Sequence, residues 1–237
     1  MMTIRRISSA LLIASTLTLA TTASSQTYDV AQDWSPTDNP NGPWSYLRGS
    51  TLLPYQPTTC CGIPPSASFA PSSVSGSFLP IFLKPAGPGS NIVVHSYDPF
   101  NGGTFIGEAV LAWTAPSAGV VDISGDFYYG HLPLQRSDDI IVRSGTTILG
   151  SQTVSYQNFF DPLHPWEFSY VGVPVSAGDI ISLTFQRTPG FASGSGVVGD
   201  VVVSLVPELA PTILLSAGLV VIFLLRKSRG HSAGGSR

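Results

Sequence analysis

Short runs of β-branched and aromatic residues, separated by Gly or Pro, dominate the middle of the chain. In the run at 119–129, Val121, Ile123 and Phe127 share one parity, which is typical of a strand that buries one face. Comparable runs predict further strands at 108–114, 140–143, 146–149, 168–171, 180–185 and 201–206. Between the two chain ends, no segment combines a 3.6-residue period with helix caps. The pattern therefore predicts an all-β domain.

Two features of the pattern suggest how the strands are arranged. Residues 54–89 are dense in Pro, Ser and Gly, so we expect a loop or irregular edge there, with one or two short strands around Phe69 and at 81–83. The segments 116–124 and 174–182 resemble each other, and each predicts a strand, a Ser-Ala-Gly turn and a second strand. Two such corners favour a jelly roll, whose two Greek keys place similar turns in both halves. We therefore predict a two-sheet, jelly-roll-like β-sandwich.

The N-terminus has the pattern of a secretory signal peptide. Two arginines precede an apolar stretch at 7–20, and small residues follow as far as Ser25. Cleavage after Ser25 and cleavage after Ala23 both fit this pattern. An uncleaved membrane anchor is the alternative, but the apolar stretch is shorter than the roughly 20 residues that a membrane span needs. We assign residues 1–25 to the signal peptide.

A second apolar segment occupies residues 209–225, near the C-terminus. At about 1.5 Å per residue, a helix of this length spans roughly 26 Å, the short end of what crosses a bilayer. The basic residues that follow it favour leaving that end in the cytoplasm. A buried core helix is the alternative, which a segment apolar on every face fits poorly. We therefore expect one C-terminal transmembrane helix.

The order of features in this tail resembles the PEP-CTERM sorting signals of Gram-negative bacteria. Those signals have a Pro-Glu-Pro motif, one hydrophobic helix and a basic cluster. The residues that correspond to the motif and the basic cluster are Pro207, Glu208, Arg226, Lys227 and Arg229. The resemblance implies export, recognition of the tail by an exosortase-type processing enzyme, and association with extracellular polysaccharide.

The tail departs from the family pattern in two ways. Leu209 stands where the motif has its second Pro, and residues 230–237 trail the basic cluster. The chain is thereby divided into a signal peptide at 1–25, a β-sandwich domain at 26–205, a sorting signal at 206–229 and a disordered tail at 230–237.

The domain itself is similar to exported bacterial jelly-roll proteins that carry this kind of tail. The matching segments are 39–46, with the sequence Asn-Pro-Asn-Gly-Pro-Trp-Ser-Tyr, together with 108–125 and 138–142. The similarity extends from about residue 33 to the C-terminus. It implies the fold and the export route and transfers no activity, because a fold alone does not specify a function.

Charge and cysteine content exclude some classes of protein. Only 11% of the 237 residues are charged, and residues 26–205 hold five Lys or Arg against thirteen Asp or Glu, a net charge of −8. A domain of this charge repels nucleic acid, so we predict no nucleic-acid partner.

Two cysteines exclude a disulfide-rich miniprotein. Cys60 and Cys61 are adjacent, which leaves a strained vicinal disulfide, a link between chains or free thiols as alternatives.

Catalytic and metal signals are sparse. His164 lies between Asp161 and Glu167, where the three side chains could bind a metal or transfer protons, although a loop stiffened by prolines is the favoured interpretation. The residues considered for a Ca²⁺ site, against simple turn stabilisation, are Asp138, Asp139 and Asp179. The carboxylates considered for a glycosidase pair are Glu108, Asp126 and Glu167. The Gly-rich match at 194–199 we interpret as a flexible loop between strands. We predict no enzyme and no cofactor, with Ca²⁺ the one ion considered.

Aromatic residues near loops suggest carbohydrate binding, because flat exposed rings stack on sugars. The ring candidates are Trp44, Tyr46 and Trp166, for which packing in the core is the alternative. We predict an exported, non-enzymatic cell-surface or extracellular-matrix protein that its C-terminal helix anchors to the membrane, either transiently or permanently, and that is associated with exopolysaccharide. A carbohydrate-binding module is the alternative, and a secreted hydrolase is the third and least favoured hypothesis.

Overall fold

Strands along which buried and exposed residues alternate make up most of the described part of the domain. The computed structural model of the protein describes residues 24–58, 68–74, 77–85, 91–98, 108–130, 135–158 and 160–208. In these ranges the chain forms strands and turns and no helix, which confirms the predicted all-β class. Accordingly, the described residues contain no helix able to cross a bilayer. The apolar stretches at 7–20 and 209–225 lie outside the described residues.

Fourteen strands are formed within the described ranges. In chain order they are β1 (Gln26–Asp29), β2 (Trp44–Arg48), β3 (Thr51–Leu52), β4 (Tyr55–Gln56), β5 (Ser68–Phe69), β6 (Ile81–Leu83), β7 (Ile92–Tyr97), β8 (Ala109–Thr114), β9 (Gly119–Tyr128), β10 (Ser137–Ser144), β11 (Thr147–Ser155), β12 (Trp166–Val175), β13 (Ile180–Arg187) and β14 (Gly194–Pro207). The short strands β5 and β6 coincide with those expected around Phe69 and at 81–83.

The last eight strands are paired in a nested order. Strand β7 pairs with β14, β8 with β13, β9 with β12 and β10 with β11, all antiparallel. The first sheet has the order β12-β9-β14-β7-β6-β5-β4, with β1 also on β14, and the second has the order β11-β10-β13-β8-β2-β3. Consecutive strands cross repeatedly between the two sheets, which is the topology of a jelly roll. The predicted jelly-roll β-sandwich is therefore confirmed.

The core lies between the two sheets and is rich in aromatic rings. In β9, Val121, Ile123 and Phe127 point inward and are at most 1% exposed, as their shared parity predicts. The ring of Phe127 lies 5.3 Å from that of Phe185 in the facing sheet. Trp113 of β8 is fully buried as well. Burial of such large rings contributes most of the hydrophobic stabilisation of a sandwich of this size.

The two similar Ser-Ala-Gly corners meet at one end of the sandwich. They connect β8 to β9 and β12 to β13, so each carries the chain from one sheet to the other. The N–H of Gly178 donates to the carbonyl of Ala115 at 2.8 Å, and the N–H of Ala115 donates to the carbonyl of Asp179 at 2.8 Å. Gly178 has φ +88°, which favours glycine over other residues. The resemblance between segments 116–124 and 174–182 thus corresponds to two corners that are hydrogen-bonded to each other.

The Gly-rich segment at 194–199 is part of a strand, so its interpretation as a loop is wrong. It forms the first half of β14. A Cβ atom at Gly196 would lie 2.1 Å from Cζ of Phe127, and one at Gly199 would lie 1.8 Å from Oδ1 of Asp126. The glycines are needed for close approach of neighbouring side chains to the strand.

Replacement of Gly119 by alanine tests the tight corner before β9. A Cβ atom there would lie 2.3 Å from the carbonyl oxygen of Val206, a backbone atom that cannot turn away. We expect Gly119→Ala to lower the free energy of unfolding by about 1–3 kcal/mol, as measured by chemical denaturation of the full chain. Ser176→Ala, at an exposed position of the other corner, is the control and should leave the midpoint unchanged. Equal midpoints for both variants and the wild type would contradict this packing.

Candidate binding cleft

A shallow cleft of about 510 Å³ lies on the outer face of the second sheet, over β10 and β11. We call it the outer cleft, and its lining residues are Asp139, Ile140, Ile141, Ile148, Ser151, Gln152 and Thr153. Its size falls in the range of pockets that bind small molecules. Alternation along β10 creates it: Ile140 and Val142 face the core, whereas Asp139 and Ile141 face outward.

Asp139 is the central polar group of the outer cleft. The hydroxyls of Thr153 and Thr188 donate to its Oδ1 at 2.6 and 2.9 Å. The hydroxyl of Ser137 in turn donates to that of Thr188 at 2.7 Å. Both donors use the same carboxylate oxygen, and Oδ2 accepts no hydrogen bond from the described side chains. The carboxylate is therefore held in one orientation while keeping an acceptor for a ligand.

Further polar side chains extend this arrangement across the sheet. Asp139 lies opposite Gln186 of β13 and Thr153 of β11 in the ladder, so the three form a row at the interstrand spacing of about 4.8 Å. The row continues to Glu108, whose Oε1 accepts a 2.6 Å hydrogen bond from Nε2 of Gln186. Outward-facing carboxylate and amide groups at a regular spacing are suited to hydroxyl-rich ligands.

Apolar side chains accompany the polar row. Ile141 lies next to Asp139 along the outer face of β10, and Ile148 of β11 is 58% exposed. Arg143, one further step along β10, donates from Nη1 to Oγ1 of Thr184 at 3.2 Å. The outer cleft thus combines hydrogen-bonding groups with exposed hydrocarbon, the mixed lining that is typical of small-molecule sites.

Trp44 and Tyr46 are not exposed rings, so their assignment as carbohydrate-binding residues is wrong. Both lie in β2 and are 1% exposed. Nε1 of Trp44 donates to Oδ2 of Asp33 at 3.0 Å, and the ring of Tyr46 stacks on Phe69 at 5.1 Å with an interplanar angle of 5°. Burial raises the pKa of the Tyr46 hydroxyl well above its usual range. The Asn-Pro-rich segment before them fixes these rings in the core.

Trp166 is the predicted ring candidate that stays partly accessible. It begins β12 and is half-buried, with its ring 5.2 Å from that of Phe168. It packs against the margin of the core on the first sheet, whereas the outer cleft lies on the second. The structure therefore does not bring Trp166 into the outer cleft.

The residues considered for hydrolysis are dispersed. Oδ1 of Asp161 accepts hydrogen bonds from the backbone N–H groups of Leu163 and His164 at 2.8 and 2.9 Å, and the His164 side chain is 77% exposed. These bonds lower the pKa of Asp161 and describe a stiff turn, as favoured from the sequence. Glu167 lies opposite Asp126 on the first sheet, whereas Glu108 lies on the second. The three considered carboxylates do not form one site.

Asp126 has a structural partner in this arrangement. Its Oδ2 accepts the backbone N–H of Asp200 at 3.2 Å, across the irregular part of the β9–β14 ladder. Burial raises the pKa of Asp126; the Asp200 N–H opposes this, and the charges of Asp200 and Glu167 add to it. The Asp126 carboxylate thus stabilises the bulge in β14 by accepting a backbone hydrogen bond there.

The three aspartates considered for Ca²⁺ are separated as well. Asp138 faces the core and Asp139 faces the outer cleft, because they are consecutive on β10. Oδ2 of Asp179 accepts the N–H of Ser176 at 2.7 Å within its own turn. In the described ranges, no group of three or more His, Cys, Asp or Glu side chains could hold a metal ion. The Ca²⁺ site built from these three residues is therefore wrong.

Asp138 instead joins the two sheets. Its Oδ1 accepts a 2.5 Å hydrogen bond from Oγ of Ser96 on β7, and Oδ2 has no partner among the described residues. Nearby, Nη2 of Arg136 lies 3.4 Å from Oδ2 of Asp98. Burial raises the pKa of Asp138 to about 7, and the hydrogen bond from Ser96 and the charge of Arg136 offset part of that increase. The carboxyl is therefore largely protonated in acid.

This buried carboxyl predicts a pH-dependent stability. The unfolded chain loses the Asp138 proton near pH 3.8, whereas the folded domain keeps it to about pH 7. Between these values the unfolded chain binds fewer protons, so the free energy of unfolding falls as pH rises and levels off above about pH 7. The wild type should lose about a few kcal/mol of unfolding free energy over this pH range. We expect Asp138→Asn, which cannot ionise, to abolish that loss. Denaturation midpoints from pH 4 to 8, compared with the exposed Asp38→Asn control, measure the effect; identical slopes for the two variants would refute it.

The remaining predicted positions are only partly described. Pro207 is the last residue of β14, opposite Gly119, and the N–H of Glu208 donates to the carbonyl of Ala118 at 3.1 Å. Arg226, Lys227 and Arg229 lie outside the described residues, as do Cys60 and Cys61.

The outer cleft was not found from the sequence, although one signal pointed to it. Asp139, Ile141 and Arg143 share the parity opposite to the core residues of β10. Thr153 and Thr188 come from distant parts of the chain, and nothing local marks them as partners of Asp139.

Comparison with known proteins identifies no family for this chain. No protein-family model and no curated protein matches the chain. Among solved structures it is similar to a CBM4 structure at 16% identity, covering 75% of this chain and 94% of that one, with a TM-score of 0.36. A family 35 carbohydrate-binding module from Clostridium thermocellum is similar at 10% identity, with 76% and 98% covered and a TM-score of 0.32. The K2 adhesin domain of Lys-gingipain is similar at 10% identity, with 76% and 99% covered and a TM-score of 0.38. These likenesses concern the β-sandwich alone.

Proposed function

We propose that the domain is a non-enzymatic carbohydrate-binding module and that its ligand, a neutral polysaccharide, occupies the outer cleft. The observation that carries this proposal is the carboxylate of Asp139, which lines the cleft and is fixed through Oδ1 by two threonine hydroxyls, while Oδ2 accepts no hydrogen bond from the described side chains. A fixed carboxylate accepts hydrogen bonds from sugar hydroxyls without the entropic cost of ordering a mobile side chain.

The ligand class follows from the surroundings of Asp139. Gln186 supplies an amide beside Asp139, and Ile141 and Ile148 supply hydrocarbon for the apolar face of a sugar. The domain at 26–205 carries a net charge of −8, so the approach of an acidic polymer is opposed by electrostatic repulsion. A neutral polysaccharide avoids this penalty.

The proposal includes the absence of catalysis. Oδ1 of Asp139 is occupied by two hydroxyl donors, and the nearest carboxylate in its row, Glu108, is hydrogen-bonded to Gln186. These contacts hold a ligand in place and leave no paired acid and base poised for proton transfer. Oligosaccharides that bind should be recovered intact after prolonged incubation with the protein.

We also propose that the chain is exported and sorted through its tail. The support is the order of sequence features at 206–229, which resembles PEP-CTERM signals. An exosortase-type enzyme and the membrane are the partners that this resemblance implies, and the producing cell's own exopolysaccharide is the natural ligand for a module displayed at the surface.

Substitution of Asp139 tests the binding proposal. We expect Asp139→Ala to weaken binding to neutral glycans at least tenfold, because a charge-assisted acceptor in the cleft is lost. A glycan array with neutral and acidic members, followed by calorimetry on the best ligand, makes the measurement. Asp200→Ala, an exposed carboxylate on the first sheet, is the matched control and should bind like the wild type. No binding to any glycan by the wild type, or equal binding by both variants, would rule out the outer cleft as a sugar site.

Terminal processing tests the export proposal. We expect the mature protein recovered from the cell surface to begin near Gln26 and to end near Pro207, as determined by intact mass and terminal peptides. Replacing Arg226, Lys227 and Arg229 with alanine should abolish surface display. Unchanged display of that variant would count against recognition of the tail.

A further inference from the structure

A rigid turn displays Phe191 at the end of the sandwich where β13 leads into β14. The N–H of Phe191 donates to the carbonyl of Thr188 at 3.2 Å, and Gly190 between them has φ +91°. With Pro189 at its second position and Gly190 at its third, the segment has the residues that a type II β-turn requires. The turn therefore fixes the backbone from which the Phe191 ring projects.

Side chains from two other connections complete a partly exposed aromatic cluster around this turn. The Arg187 guanidinium donates from Nη1 to the carbonyl of Phe191, and its Cζ lies 4.8 Å from the ring centre of Tyr97. The ring of Tyr156 lies 6.2 Å from that of Phe191, nearly edge-on at 75°. We call Tyr97, Tyr156, Arg187 and Phe191 the end cluster.

The end cluster is not simply a continuation of the core. All four members are partly exposed, and neither Tyr97 nor Phe191 belongs to the hydrophobic core cluster or packs among its margin residues. Large rings held in place yet left accessible to water mark a binding surface. The exposed Gln157, whose Nε2 donates to the Tyr156 hydroxyl at 3.1 Å, adds an amide beside the rings.

The end cluster is contiguous with the outer cleft. Thr188 begins the turn that carries Phe191, and its hydroxyl is one of the two donors that fix Asp139. A polymer that contacts Asp139 and continues past Thr188 therefore runs towards the turn that carries Phe191.

We propose that the end cluster is an extension subsite, in which a sugar of the same neutral polysaccharide stacks on Phe191, with Tyr156 beside it. This inference rests on the proposed function of the outer cleft. Short oligosaccharides are bound by the cleft alone, whereas longer ones gain the stacking contact, so affinity increases with chain length. Aromatic stacking of this kind contributes about tenfold in affinity.

The test measures affinity against oligosaccharide length. Calorimetry on the full chain in detergent uses the disaccharide and the hexasaccharide of the neutral glycan that binds best among cello-, xylo- and laminari-oligosaccharides. We expect the wild type to bind the hexasaccharide about tenfold more tightly than the disaccharide. Phe191→Ala and Phe191→Leu should lose this advantage and keep the disaccharide affinity, which also shows that each variant is folded. Phe191→Leu retains apolar bulk and so isolates the aromatic contribution.

Each other outcome has a definite meaning. If the wild type binds none of these glycans and none on the array, the proposed function fails. If the wild type binds both lengths equally, or if the Phe191 variants keep the advantage of the hexasaccharide, the extension subsite is refuted while the outer cleft stands. If the Phe191 variants weaken both lengths equally, the turn acts on the cleft through Thr188 and the subsite is likewise refuted.

Discussion

The register of β10 between β11 and β13 is the constraint on which the rest of the domain depends. In a strand, side chains alternate between faces, so one register places Ile140 and Val142 in the core and Asp139 in the outer cleft. A shift by one residue would bury Asp139 and expose the core residues. The inter-sheet contact of Asp138 with Ser96 depends on this register too. The register of β10 therefore sets the packing of the core, the contact between the sheets and the geometry of the candidate site.

Much of the fold could be predicted because it is encoded locally. Period-two alternation identified β9, a β-branched and aromatic run identified β13, and the two Ser-Ala-Gly corners indicated the jelly roll, since its two Greek keys place similar turns in both halves. The segment at 194–199 shows where local reasoning fails. Its glycines resemble a loop, but they are required by side chains from β9 that approach the strand closely, and such neighbours are not visible in the sequence.

The candidate site was harder to predict for a related physical reason. Trp44 and Tyr46 follow Asn and Pro residues and so resemble loop positions, yet their burial is decided by Asp33 and Phe69, which tertiary contacts bring to them. Conversely, the sequence suggested Asp139 only as one of three aspartates for a Ca²⁺ site. Its role in the outer cleft depends on hydroxyls from Thr153 in β11 and from Thr188 after β13. Local composition indicates which residues can bind a ligand, whereas only the fold decides which of them face solvent together.

The position of β1 has a mechanical consequence. Gln26 lies opposite Leu205 in an antiparallel ladder, so the chain enters and leaves the sandwich at adjacent points. A force that separates residues 26 and 207 would load the hydrogen bonds of β1 one after another and peel the strand from β14, as a zipper opens. Shear along the strands would instead load the four residue pairs of this ladder together. Tension between residues 26 and 207 would therefore meet little resistance in β1, while the nested ladders from β7 to β14 would keep the outer cleft intact.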